Sequence, residues 1–155
     1  MKWRFVDRIE QFEPWRTIRC VKTVSFEEYS LLERWGRGGE FPASLMLEAA
    51  VEAGRWLTMV SSDFARAASL SEVQELRCVR PATRGDVLRT IATVRERSEA
   101  CVGVAFAQEA DDGVLMTGRL ILNLSPLDEA FDGTSLRGLW SEIGPRQTAR
   151  RKEEG

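Results

Sequence analysis

Residues 43–60, ASLMLEAAVEAGRWLTMV, constrain this chain more than any other stretch. They read as a helix of about five turns, with Pro42 just before it and Ser44 as a candidate capping hydroxyl. Leu45, Met46, Leu47, Ala49, Ala50, Val51, Ala53, Trp56, Leu57 and Val60 cover most of its circumference, and only Ser44, Glu48, Glu52 and Arg55 form a polar stripe. A helix apolar nearly all round has to be buried, so something must wrap it.

The flanking sequence supplies the wrapping. WRFVDRIEQF (3–12) and TIRCVKTVSF (17–26) read as two strands joined at Glu13-Pro14, the second alternating Ile18, Cys20 and Lys22 against Arg19, Val21 and Thr23. EEYSLLERW (27–35) is a short helical candidate that GRGG interrupts. Strand patterns follow at 73–81, 86–97, 100–110 and 114–124, with short links suited to hairpins and Asp112-Gly113 as a turn. Strands, one long helix, then antiparallel strands predict an α+β fold in which a sheet of five or six strands curls around the helix. The pattern fades beyond Leu124. Residues 134–143 form an amphipathic candidate, and PRQTARRKEEG reads as a solvated, mobile tail. The expected organisation is one domain over 1–130 and a C-terminal extension over 131–155.

With 155 residues the chain can bury a real core. A formal net charge of −2 creates no field to recruit nucleic acid or an anionic membrane. Charged residues throughout the first twenty positions exclude a secretory signal, and no apolar run suits a membrane helix. Cys20, Cys78 and Cys101 are odd in number and widely spaced, which predicts free thiols and a cytoplasmic setting.

The chain contains no histidine. That removes Ser-His-Asp and Cys-His nucleophiles and imidazole-based zinc sites, and the scattered cysteines offer no thiolate site. Neither a metal nor another cofactor is expected. Acid–base chemistry falls to carboxylates. Glu48 and Glu52, four apart, share a helical face. If both were partly buried, their mutual repulsion would leave one acid and one base. Arg55 is the expected partner of Glu52, in a structural ion pair. Glu40 lies just before the helix. The first helical amides, around Ala43, Ser44 and Leu45, can polarise a carbonyl oxygen.

The order of these elements, with several local strings, resembles the β-hydroxyacyl-acyl-carrier-protein dehydratases of the hotdog fold. The strings are FVDRI at 5–9, PASLMLEA at 42–49 and VRPATRGD at 79–86, and the similarity spans roughly residues 4–124. The resemblance implies a hotdog domain, an acyl thioester of acyl carrier protein or coenzyme A as partner, and pairing as a homodimer or with a homologue. It also implies a catalytic pair made of a loop histidine and a helix acid. Glu48 matches the acid. The histidine position falls on Arg34, whose guanidinium cannot accept a proton but can hold a phosphate or a thioester oxygen. Ala43, Ser44 and Glu52 are the implied substrate contacts. The resemblance thus predicts a thioester-binding protein with weak or lost dehydratase activity. A thioesterase using Glu48 and a non-catalytic partner of an active homologue are the alternatives. Arg77, Arg80, Arg84 and Arg89 around the VRPATRGD turn are a candidate patch for steering an acidic carrier protein.

Overall fold

The computed structural model describes residues 5–24, 40–127 and 132–145. The sheet comprises β1 (Arg8–Glu13), β2 (Thr17–Thr23), β4 (Arg66–Cys78), β6 (Val87–Arg97), β7 (Cys101–Ala110) and β8 (Gly113–Pro126). Its order is β1-β2-β6-β7-β8-β4, and every neighbouring pair is antiparallel. The long helix α1 (Ala43–Ser61) lies across one face, and a second helix, α2 (Gly133–Ile143), follows the sheet. This is the expected α+β hotdog architecture. No described helix is long and apolar enough to cross a membrane.

Alternation decides which side chains meet α1. Val102, Val104, Phe106, Gln108 and Ala110 of β7 and Met116, Leu120 and Leu122 of β8 point to the helix face and are buried. Ile18, Cys20 and Lys22 of β2 are buried as well, as their period-two spacing predicts, whereas Val21, expected on the other face, is buried too. On the helix, Met46, Ala50, Ala53 and Leu57 follow the i, i+4, i+7, i+11 spacing of one face and are buried. Burying Met46 or Leu57 contributes about 1.5–3 kcal/mol each. Their small neighbours set how closely the helix approaches. A β-carbon on Gly54 would lie 2.8 Å from Leu122 Cδ1.

Differences from the sequence reading have local causes. β4 begins at Arg66 rather than near residue 73, because Arg66–Leu70 pairs with Leu122–Pro126 of β8 although Ala-Ala-Ser has weak strand propensity. Glu40 is not in a loop: Glu40–Phe41 forms a short strand, β3, opposite Ala82–Thr83, β5. Ser44 does not cap α1. Pro42 occupies the cap position without a side-chain bond, and Ser44 is exposed in the first turn. The amphipathic candidate at 134–143 is α2, capped by Asp132, whose side chain accepts from the Thr134 N–H. The helical candidate at 27–35, Arg34 and most of the tail lie outside the described residues.

Candidate functional site

The N-terminal end of α1 is fixed by the small β3–β5 sheet. Phe41 and Ala82 face each other there and are both fully buried. The Ala82 N–H donates to Met46 Sδ at 3.3 Å, so the residues just before and just inside the helix are both held to the VRPATRGD turn. From β7, the Gln108 amide donates to the Met46 carbonyl oxygen at 2.6 Å and to Thr90 Oγ1 at 3.1 Å. Gln108 Oε1 is buried without a hydrogen-bond partner. A buried amide bonded to a helix carbonyl is costly to remove and fixes the helix against the sheet. The sequence reading missed this pair, although the alternation of β7 places Gln108 on the inner face.

At the helix start, Pro42 offers no N–H, and its carbonyl accepts from Leu45 at 3.0 Å and Met46 at 3.1 Å. Leu45 is therefore not a free donor. The amides of Ala43 and Ser44 have no partner among the described residues, and both residues are exposed. Glu48 is exposed one turn further along. The open end of α1 thus carries a carboxylate and two unused amides on solvent-facing positions.

Glu52 has a different environment. It is half-buried and lies 3.5 Å from the Arg55 guanidinium, the ion pair its spacing predicts. It also faces Cys20 of β2: burial pushes that thiol's pKa far up, and the negative charge of Glu52 adds to the effect. The two helix acids are consequently not a matched pair. Glu48 is open and unpartnered among the described residues, whereas Glu52 is engaged.

The arginine patch is largely neutralised. Arg80 pairs with Asp86 and Asp112, and Arg89 with Asp111 at 3.0 Å. Aspartates of the two adjoining turns therefore cancel much of the charge expected to steer a carrier protein. Among the described residues no cluster of acids and cysteines has the arrangement of a metal site.

Comparison with known proteins adds the family. The chain is 31% identical over 109 residues to the 3-hydroxyacyl-acyl-carrier-protein dehydratase FabZ of Symbiobacterium thermophilum, a match spanning 69% of this chain and 77% of the relative. It belongs to this dehydratase family. The sequence matches no family model. The fold of this chain is similar to that of a hot-dog-like protein from Thermanaerovibrio acidaminovorans, with a TM-score of 0.62 at 17% identity over 87% of this chain and 96% of the other. A chain of the dehydratase heterocomplex ApeI:P from Xenorhabdus doucetiae gives a TM-score of 0.64 at 20% identity, over 88% of each chain.

Proposed function

We propose that this family member binds acyl thioesters at the N-terminal end of α1 and dehydrates 3-hydroxyacyl groups weakly or not at all. The observation that carries the reading is Glu48, an open helix acid at the family's acid position, in a chain that contains no histidine. Dehydration needs one group to take the α-proton and another to protonate the departing β-hydroxyl, and each contributes roughly 100- to 10,000-fold. Glu48 can fill one role. Glu52 is held by Arg55, and Arg34 stays protonated, so neither fills the other. Binding needs less. The Ala43 and Ser44 amides and the positive end of the helix favour a thioester oxygen. The carrier is acyl carrier protein or coenzyme A, the working form is a dimer, and the setting is cytoplasmic.

Purified protein should bind acyl-pantetheine thioesters while converting 3-hydroxyacyl thioesters to enoyl products little above background. Thioester hydrolysis should be measured beside it, because a carboxylate base alone can activate water. Glu48→Gln should remove any turnover found. Robust wild-type dehydration would refute this reading, and hydrolysis that survives Glu48→Gln would remove Glu48 from the chemistry.

A second reading, a partner subunit of an active homologue, is favoured by the likeness to a chain of a dehydratase heterocomplex. In that arrangement the homologue brings the histidine and this chain brings Glu48. Dehydration restored on mixing with a histidine-bearing homologue, and lost again with Glu48→Gln, would select it.

A further inference from the structure

The other end of α1 carries a cavity that the thioester reading does not use. It has a volume of about 380 Å³ and is lined by Trp15, Arg66, Arg97, Ser98, Glu99 and Leu124. Its walls are the β1–β2 turn, the β6–β7 hairpin and the start of β4. Ser61, at the end of α1, is thirteen residues from Glu48, or about 20 Å along the helix. We propose that this cavity binds a phosphate-bearing planar ring, of which an adenine nucleotide is the biological form.

The walls are firmly set. Trp15 adopts a left-handed backbone conformation (φ 54°), which a bulky side chain rarely takes. Its N–H donates to Ser61 Oγ at 2.8 Å, which fixes the turn to the helix end. The Arg97 guanidinium lies 4.3 Å from the centre of the Trp15 ring. The Arg66 backbone N–H donates to Ser62 Oγ at 3.0 Å, anchoring the third wall.

The charges are left unspent. Arg19, Arg80, Arg89 and Arg137 each hold a carboxylate. Among the described residues, the guanidiniums of Arg66 and Arg97 have no ion pair and no side-chain hydrogen bond, and both line this cavity. A guanidinium stacked on an indole keeps its N–H fork for a phosphate or carboxylate. Opposing them are Glu99 and the C-terminal end of α1, equivalent to about half a negative charge. The surplus positive charge is therefore small, and electrostatics alone would hold a bare phosphate poorly. The volume lies in the range of small-molecule sites, roughly 300–1,000 Å³. Trp15 and Leu124 offer apolar surface for a flat ring. Ring and phosphate together match the cavity better than either alone.

The test is calorimetric titration of the full chain with adenosine diphosphate, adenosine, inorganic phosphate and coenzyme A. Adenosine diphosphate should bind at least roughly tenfold more tightly than adenosine or phosphate. Arg66→Gln and Arg97→Gln should each weaken it by about tenfold or more, the usual consequence of losing a charge-assisted bond. Arg95→Gln, an exposed arginine outside the cavity, should leave it unchanged. Coenzyme A equal to adenosine diphosphate would mark a free-nucleotide site. Tighter coenzyme A binding, with the gain lost in Glu48→Gln, would mark the nucleotide end of a carrier thioester. No nucleotide binding up to millimolar concentration, or an equal loss in Arg95→Gln, would overturn the proposal. None of these outcomes depends on catalysis at Glu48, so the two proposals fail separately.

Discussion

The two edges of the sheet are built differently. β1 is short, six residues, carries Arg8, Glu10 and Glu13, and shifts register between Ile9 and Gln11. α2 closes this side, with Trp140 edge-on to Phe12 at 5.4 Å between ring centres. β4 has thirteen residues, pairs with β8 on one side and has no described strand on the other. Leu70, Leu76 and Val79, on or just after it, are 37%, 47% and 66% exposed. Charge, a bulge and a covering helix are the usual means of blunting an edge, and β1 has all three. β4 is also charged, at Glu72, Glu75 and Arg77, and bulged at two places, with Glu75 at φ 52°, but its apolar side chains stay partly exposed. The difference is that one edge is finished within the chain and the other is left open, where the dimer proposed above would cover it.

The largest expected effect is on assembly. The protein should sediment as a dimer at micromolar concentration, and Leu76→Asp combined with Val79→Asp should make it a monomer. Removing two buried apolar side chains from an interface costs about 3–6 kcal/mol, or roughly two to four decades in the dissociation constant. Gln11→Asp on β1 should change nothing. A wild-type monomer, or equal sensitivity at both edges, breaks the comparison.

Thiol chemistry sharpens it. Cys78 ends the open edge and is exposed, whereas Cys20 is buried in β2 with its pKa pushed far up by burial and by Glu52. A neutral alkylating reagent should modify Cys20 at least about a hundredfold more slowly than Cys78, since the thiolate is the nucleophile. In the Leu76→Asp, Val79→Asp monomer Cys78 should react faster than in the wild type. An unchanged Cys78 rate would place the second chain elsewhere.

Much of the fold was legible in sequence, and the reasons the rest was not are physical. The apolar circumference of 43–60 announced a wrapped helix, and period-two alternation placed Ile18, Cys20 and Lys22 on the inner face of β2. The start of β4 was hidden because Arg-Ala-Ala-Ser-Leu has no strand propensity of its own and is made a strand by β8. The Glu52–Arg55 pair followed from spacing. The neutralised arginine patch did not, because Asp111 and Asp112 reach it from a hairpin distant in sequence. Glu48 was legible as a candidate acid from its helical face in a chain without histidine, and the family pattern singled it out from Glu52. The cavity at Trp15 draws on four separate segments, and no local string signals it.

On the closed side the effects are smaller and concern stability alone. Trp140 packs on Phe12 and also on Trp56 of α1, with 5.9 Å between ring centres. Trp140→Ala should cost about 2 kcal/mol, below the 3–5 kcal/mol of a fully buried tryptophan because this ring is only half-buried. Urea unfolding measures it. The dimer constant should not move, and a monomeric Trp140→Ala protein would mean that α2 belongs to the interface after all.

The smallest effect lies where the chain leaves the open edge. Val79 donates its N–H to the Leu115 carbonyl at 2.7 Å, and Arg80 is clamped by Asp86 at 3.2 Å and by Asp112. Partial burial tends to raise the Asp86 pKa, but bonds from the Thr83 N–H and hydroxyl and from Arg80 outweigh it, so the carboxyl titrates below its ordinary value. Its contribution is therefore fully present above the unfolded value of about 4 and is lost as pH falls through the lower folded value. Asp86→Asn should cost about 0.5–1 kcal/mol at pH 7, the scale of one partly solvated ion pair with its hydrogen bonds. The difference from wild type should hold steady down to about pH 5 and shrink towards zero near pH 3 and below. Urea unfolding at pH 7 and pH 3 reads both values. A gap as wide at pH 3 as at pH 7 would show that the ionised clamp does not hold this end of β4, and that the amide substitution acts through packing.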